Sequence, residues 1–125
     1  TLPEVPGKSA LRILHLAQND FTGTIPSSYG RLTKLVKLGM SHNSLSGAIP
    51  KELASLTRLL YVDLLNNKLS GRIPVELSGL VNLKAITFHG NNLSGAVPAK
   101  MCVIASLIYI AADCGGLMPE ISCSC

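Results

Sequence analysis

The sequence is poor in several features that would assign it to a common class of protein. Only 14% of its residues are charged while 47% are apolar, which excludes intrinsic disorder. Tryptophan is absent, and the longest apolar stretch, 101–112, is far below the ~20 residues that a bilayer span requires. The formal net charge of +4 is too small to imply a nucleic-acid partner. A length of 125 residues suits one domain.

The amino end lacks the pattern of a signal peptide. Residues 1–7 contain neither a basic start nor an apolar run. We therefore expect that any export signal has already been removed or lies outside this chain, and that any membrane tether lies outside it as well.

Most of the chain aligns with itself at a constant offset of 24 residues. Leucines at 11, 35, 59, 83 and 107 open five units. Asparagine takes the ninth position of the first four, and each of these units also contains a Gly followed two residues later by Ile-Pro or Val-Pro. Within 35–40, apolar residues alternate with Lys37 and Gly39, which predicts a short half-buried strand that needs identical neighbours to be stable. The asparagine column comprises Asn19, Asn43, Asn67 and Asn91.

This pattern resembles the plant-type leucine-rich repeat, LxxLxLxxNxLSGxIPxxLxxLxx, over residues 11–121. The resemblance implies an α/β solenoid: a right-handed leucine-rich repeat superhelix of about five 24-residue coils. A parallel β-sheet would form its concave face and 3-10 or short helical turns its convex face. Buried side-chain amides of the asparagine column would satisfy the turning backbone.

The repeat divides the chain into three parts. Residues 1–10 are a partial amino-terminal repeat or a short atypical cap, since solenoid ends need covering. Residues 11–106 hold four 24-residue repeats, and residues 107–125 hold the last strand and a disulfide-stapled cap. The tail, Ala-Asp-Cys followed by Cys-Ser-Cys, resembles the tails of secreted leucine-rich repeat proteins from microalgae such as diatoms.

Four cysteines cluster in the last quarter of the chain, at 102, 114, 123 and 125. They allow three pairings, and the repeat register favours Cys102 with Cys125, leaving Cys114 with Cys123. A structural zinc site or a redox pair is less favoured because no CxxC pair is present.

The outward positions of the predicted strands vary from coil to coil while the framework repeats. Such variation is typical of a scaffold that presents a recognition surface, with Tyr61 and Tyr109 as rigid contacts. The alternative is that these residues are ordinary solvated strand positions. The candidate ligand-binding residues are Ile13, His15, Lys37, His42, Tyr61, Asp63, Leu65, Thr87, His89 and Tyr109.

The three histidines occupy different columns and coils, so they do not form a metal site or a catalytic group. We predict no catalytic residue, no metal and no cofactor. Four basic residues, Arg12, Lys34, Arg58 and Lys84, should align along one edge. That edge could meet an anionic polysaccharide, an acidic protein or a membrane surface, or could be a solvated rim.

These features predict a non-catalytic, secreted or cell-surface recognition module. It would bind a protein, peptide or glycan through the concave strand face, as a receptor-like, adhesion or enzyme-inhibitor domain; its oligomeric state stays open. Plant-type members of the family serve in receptor ectodomains and in inhibitors of wall-degrading enzymes, so the resemblance implies a role of one of these kinds. Asn92 opens the sole N-x-Ser/Thr sequon and is a possible glycosylation site. The alternative is a surface-active structural solenoid, either wall-associated or ice-binding, although the threonines do not stack in one column.

Overall fold

A computed structural model of the chain describes residues 1–7 and 9–112. Nine short strands lie within these residues. They are β1 (Ile13–His15), β2 (Thr22–Gly23), β3 (Lys37–Gly39), β4 (Ser44–Gly47), β5 (Tyr61–Asp63), β6 (Lys68–Arg72), β7 (Ala85–Thr87), β8 (Asn92–Ser94) and β9 (Tyr109–Ala111).

The odd-numbered strands form one parallel sheet in the order β1-β3-β5-β7-β9. Each residue pairs with its equivalent in the next coil, so that Leu38 lies between Leu14 and Val62. The predicted strand in each coil and its register are confirmed. Because the sheet is parallel and one strand comes from each coil, equivalent side chains form columns across it.

The even-numbered strands form a second parallel sheet, β2-β4-β6-β8, which sequence reasoning did not predict. Its register is two positions shorter than the repeat, since Ser46 pairs with Lys68 and Ser70 pairs with Asn92. We call this second sheet the lateral sheet. It follows the asparagine turn in each of the first four coils, so these coils are tied to one another on two sides.

Four 3-10 helices complete the coils among the described residues. Each begins after a proline of the Ile-Pro or Val-Pro motif, whose φ of −55° to −66° suits the entry and whose missing N–H breaks no ladder. This confirms the predicted 3-10 turns on the convex side. The helices span Ser27–Arg31, Lys51–Ser55, Val75–Gly79 and Ala99–Met101.

One continuous apolar core runs through the stacked coils. Leu38 and Met40 on either side of Gly39 are almost fully buried, as the strand alternation predicts. The framework positions of the 3-10 helices also point inward, as expected. These are Tyr29, Leu53, Leu77 and Met101, with Leu32, Leu56, Leu80 and Ile104.

The amino-terminal segment packs against the first coil. Leu2 is buried, and the Val5 N–H donates to the Ser28 hydroxyl, which in turn donates to the Glu4 carboxylate. Of the four cysteines only Cys102 lies within the described residues, where it is half-buried; the predicted pairings and the diatom-like cap lie outside them. None of the helices in the described part of the chain is long and apolar enough to cross a bilayer.

Candidate recognition surface on the strand face

The asparagine column holds successive coils together just beyond the strands of the concave sheet. The Asn67 side chain donates to the carbonyls of Met40, Leu64 and Leu65 and accepts the Leu45 N–H at 3.0 Å. Two of these four partners belong to the preceding coil. Asn43 and Asn91 repeat the arrangement, while Asn19 bonds only the carbonyls of its own coil.

The residue before each of these asparagines adopts left-handed backbone angles. Gln18, His42 and Asn66 have φ of 51° to 58°, and the equivalent Gly90 has φ of 71°. In this conformation the His42 N–H reaches the Leu65 carbonyl of the next coil at 2.9 Å. The chain therefore turns away from the sheet at the same place in each coil, and that turn forms one border of the strand face.

A shallow groove of about 460 Å³ crosses the concave sheet. Its walls include exposed apolar and aromatic side chains: Ile13 is 55% exposed and Tyr61 39% exposed. The Lys37 ammonium lies 5.2 Å from the centre of the Tyr61 ring, a cation–π contact that orients both side chains. Six of the ten predicted binding residues line this groove: Ile13, His15, Lys37, Tyr61, Asp63 and Thr87.

Small residues create the space, and sequence reasoning did not include them in the site. Gly39 and Ala85 also line the groove. The imidazole ring of His15 lies beside Gly39, so closely that a Cβ there would be 2.9 Å from the ring Cδ2. In the sequence these two residues are only small side chains at outward strand positions. Their contribution becomes apparent once the structure shows that those positions face a groove.

Asp63 contributes the carboxylate of the groove and is held by neighbours on either side. It accepts hydrogen bonds from the hydroxyls of Ser41 and Thr87, in the preceding and following coils, and from the Leu65 N–H at 3.2 Å. Burial alone would raise the Asp63 pKa. The hydrogen bonds and the positive charge of protonated His42 outweigh burial and lower this pKa below its ordinary value of 3.8.

We expect the hydrogen bonds of Asp63 to make the free energy of unfolding decrease as the pH falls into the acidic range. A carboxyl whose pKa is lower in the folded chain stabilises the fold fully above its ordinary pKa, and the contribution disappears as pH falls through the folded value. Asp63→Asn should therefore unfold at lower urea than the parent at pH 7, and the two midpoints should converge below about pH 3.8. A difference between midpoints that stays constant down to pH 2 would contradict this role.

The other four candidates lie outside the groove. His42 lies at the border, where its Nδ1 is 3.4 Å from the Asn66 amide. Leu65 and His89 are half-buried, two residues after the groove residues Asp63 and Thr87. Tyr109, on β9, is 55% exposed in the same column as Tyr61. Within the described residues, no three His, Cys, Asp or Glu side chains are grouped closely enough to hold a metal ion.

Together these features define a solenoid whose framework is repeated in every coil and whose strand face is not. The leucine-rich repeat profile matches residues 10–32, 34–56 and 58–80, more than half of the chain. The chain belongs to the leucine-rich repeat family, and its repeats are of the plant type. No protein among those with curated descriptions matches the sequence.

Solved structures show the same architecture. The chain is 38% identical to a part of PEPR1 in the PEPR1–AtPEP1 complex, covering 82% of this chain and 14% of that one, with a TM-score of 0.79. It is 31% identical to the ectodomain of the Arabidopsis receptor kinase HAESA in complex with an IDA peptide hormone ligand (82% and 18%, TM-score 0.71). A plant ice-binding protein is 36% identical (82% and 34%, TM-score 0.78). The chain thus spans about a third or less of these proteins.

Proposed function

We propose that this chain is a non-catalytic recognition module that binds a peptide or an extended protein segment in the groove of the concave sheet. The observation that carries the proposal is the groove itself, in which six non-repeating side chains from four successive coils converge. The residues that repeat from coil to coil pack the core, whereas the residue type at the groove positions differs from coil to coil. Binding of a protein or peptide is also what the HAESA complex shows for a structure of the same architecture.

The side chains of the groove suit a ligand with both apolar and charged groups. Ile13 and Tyr61 offer apolar area with little rotamer freedom to lose. Lys37 on one side and Asp63 on the other provide opposite charges on adjacent coils, which would fix the direction of a bound segment. A glycan would use the same hydroxyl, carboxylate and aromatic groups, and it is the second ligand class of this proposal.

We also propose an extracellular location, in keeping with the receptor ectodomains that share the fold. The pairing of Cys102 with Cys125 and of Cys114 with Cys123 belongs to this proposal, because disulfides persist in oxidising compartments. So does glycosylation at Asn92, which is exposed on β8 with the sequon residue Ser94 exposed two positions later.

A second candidate, ice binding, rests on the lateral sheet. A hydroxyl residue takes the same repeat position in the first four coils, where Ser46 is half-buried and the others are exposed: Thr22, Ser46, Ser70 and Ser94. The register of the lateral sheet offsets each of them by two residues from the next. The 36% identity to the plant ice-binding protein also favours it. The two candidates use different surfaces, so a substitution in the groove separates them.

We expect Tyr61→Ala to weaken binding of groove ligands about tenfold, because an exposed aromatic anchor near the centre of a site carries a large share of the binding energy. Linear peptides selected from a random library against the immobilised domain provide the probe, and their affinity is measured for both proteins. Inhibition of ice recrystallisation, measured in parallel, should not change if the lateral sheet binds ice.

Val81→Ala is the matched control, since Val81 is 64% exposed and lies outside the groove. It should leave peptide affinity within about twofold of the parent. Equal affinity of the Tyr61 and Val81 variants for all selected peptides would place the site elsewhere on the molecule.

A further inference from the structure

One column of the concave sheet carries a single small residue between large ones. The pairing of successive strands builds this column from Ile13, Lys37, Tyr61, Ala85 and Tyr109. Ala85 is half-buried, whereas Tyr61 is 39% exposed and Tyr109 55% exposed. The side chain in coil four is therefore much shorter than those of the coils on either side. We call Tyr61, Ala85 and Tyr109 the tyrosine gap.

The register of the sheet sets the width of the tyrosine gap. Neighbouring parallel strands lie about 4.8 Å apart, so the Cα atoms of Tyr61 and Tyr109 are roughly 10 Å apart. A ring centred above Ala85 would lie roughly 5 Å from each tyrosine. The centres of two aromatic rings attract each other at about 4.5–7 Å, in stacked or edge-to-face arrangements. One ring of a ligand thus fits between the two tyrosines and contacts both.

Lys37 holds Tyr61 from the side opposite the gap. Its ammonium lies 5.2 Å from the centre of the Tyr61 ring, and Lys37 pairs with Tyr61 from the preceding coil. Ala85 pairs with Tyr61 from the following coil. The cation–π contact therefore occupies the ring face on the side of coil two and leaves the face on the side of Ala85 for a ligand. A ring that is already oriented loses little freedom when a ligand binds.

The neighbouring column shows how a flat ring packs over a small residue of this sheet. Gly39 pairs with His15, and a Cβ on Gly39 would be 2.9 Å from the ring Cδ2 of His15. The imidazole of His15 therefore occupies the space that a side chain in coil two would take. At Ala85 the flanking residues are two tyrosines, and we expect the ring between them to come from the ligand.

The polar side chains beside the tyrosine gap bond one another. Thr87, two residues after Ala85, donates its hydroxyl to the Asp63 carboxylate, which also accepts the Ser41 hydroxyl and the Leu65 N–H. The single hydroxyl proton of Thr87 is thus used within the protein. A sugar ring carries several hydroxyl groups, and each one that is desolvated without a partner is costly. The ring of a phenylalanine makes no such demand, so these contacts favour an aromatic side chain.

We propose that the tyrosine gap is the subsite of the groove that selects one aromatic side chain, phenylalanine, tyrosine or tryptophan, of a bound peptide. The inference rests on the proposed function and adds to it the chemistry of one ligand residue. Tyr109, which lies outside the groove of about 460 Å³, becomes the wall at its far end. The binding surface then extends from coil one to coil five.

The first test uses linear peptides selected from a random library against the immobilised full chain. The selected peptides should share one aromatic position. Replacing that residue with cyclohexylalanine, which keeps the size of phenylalanine without the aromatic electrons, should weaken binding about tenfold, because each aromatic pair contributes beyond the area that it buries. Peptides that bind equally well with cyclohexylalanine would overturn the recognition of an aromatic ring.

The variant Ala85→Leu closes the gap from within the protein. Coils one to three carry Ile13, Lys37 and Tyr61 at this position, so a large side chain is compatible with the fold. This variant should lose about tenfold in affinity for the aromatic peptides.

Ala96→Leu is the matched control for this variant. Ala96 is exposed outside the groove, at the repeat position that Arg72 takes in the preceding coil. The substitution should leave affinity within about twofold of the parent, as is usual for surface changes. Equal affinities of the Ala85 and Ala96 variants would overturn the proposal.

Tyr109→Leu, combined with the cyclohexylalanine peptide, completes a double-mutant cycle. The two changes should be non-additive by about fivefold, as expected when the two removed rings contact each other. Additive losses would place the ligand's ring away from Tyr109 and overturn the proposal.

Two further outcomes separate this inference from the groove proposal and from a sugar ligand. Binding of cellohexaose that is lost in both Tyr61→Ala and Ala85→Leu would overturn the choice of a peptide over a sugar ring. Selected peptides without a shared aromatic position would contradict the tyrosine gap alone, whereas failure to select any peptide would contradict both proposals.

Discussion

Asn67→Ala is expected to lower the free energy of unfolding by about 3 kcal/mol. The substitution removes the acceptor of the Leu45 N–H and a donor to the Met40 carbonyl at 2.9 Å, and both groups lie in the buried interior of the turn. Each buried polar group left without a partner costs about 1–3 kcal/mol. Alanine also leaves space that water fills poorly, because Asn67 is only 8% exposed.

Asn19→Ala is the matched control for this prediction. Asn19 has the same position in the first coil, but it is exposed and its two hydrogen bonds go to the Leu16 and Ala17 carbonyls, which water can reach. We expect a loss below about 1 kcal/mol. Urea unfolding followed by far-UV circular dichroism is the suitable measurement, since the chain has no Trp. Equal losses in the two variants would contradict the idea that bonds between coils carry the effect.

Gly30→Ala is expected to destabilise the fold by about 2–3 kcal/mol, the upper part of the range for an overpacked core. Gly30 lies in the first 3-10 helix, where an added Cβ would be 2.5 Å from the backbone oxygen of Glu52 in the next helix. A backbone atom cannot rotate away, so the two helices must separate. The equivalent positions of the next two coils hold Ala54 and Ser78, which shows that the close approach is particular to the first pair.

Gly79→Ala should have the opposite sign. Gly79 ends the third 3-10 helix, and an added Cβ would have nothing within 4 Å. Alanine reduces the conformational freedom of the unfolded chain, which stabilises by about 0.4–1 kcal/mol at compatible positions. Unfolding midpoints of the parent and the two variants, with unchanged m-values, measure both effects. A Gly30 variant as stable as the parent would show that the helices can move apart at little cost.

The repeat made the concave sheet and the core predictable, because equivalent apolar residues such as Leu14, Leu38 and Val62 must share one environment. The lateral sheet was not predictable in the same way. In β4, β6 and β8 a single buried leucine stands between polar residues, and β4 then ends at Gly47 with φ of 75°, so each strand is too short to show a repeated alternation. Its backbone bonds depend on how two coils stack, and a register two positions shorter than the repeat leaves no trace in the sequence.

The candidate site was predictable as a face but not as a groove. Variation in the outward columns pointed to Tyr61 and Asp63, and both line the groove. The same criterion also selected His42 and Leu65, which lie beyond the groove at the left-handed turns of their own coils, at His42 and at Asn66. The open space comes from Gly39, whose contribution depends on the position of the His15 ring and not on its own side chain.

The asparagine bonds between coils reach only one coil back: Asn43 bonds Leu16 and Phe21, Asn67 bonds Met40 and Leu45, and Asn91 bonds Leu64 and Leu69. Every coil thus offers its successor the same acceptor and donor. A gene duplication or deletion of one whole unit would join two ends that already fit, whereas a change of any other length would misalign them. Evolution can therefore lengthen or shorten such a molecule in complete steps while the older coils keep all their bonds.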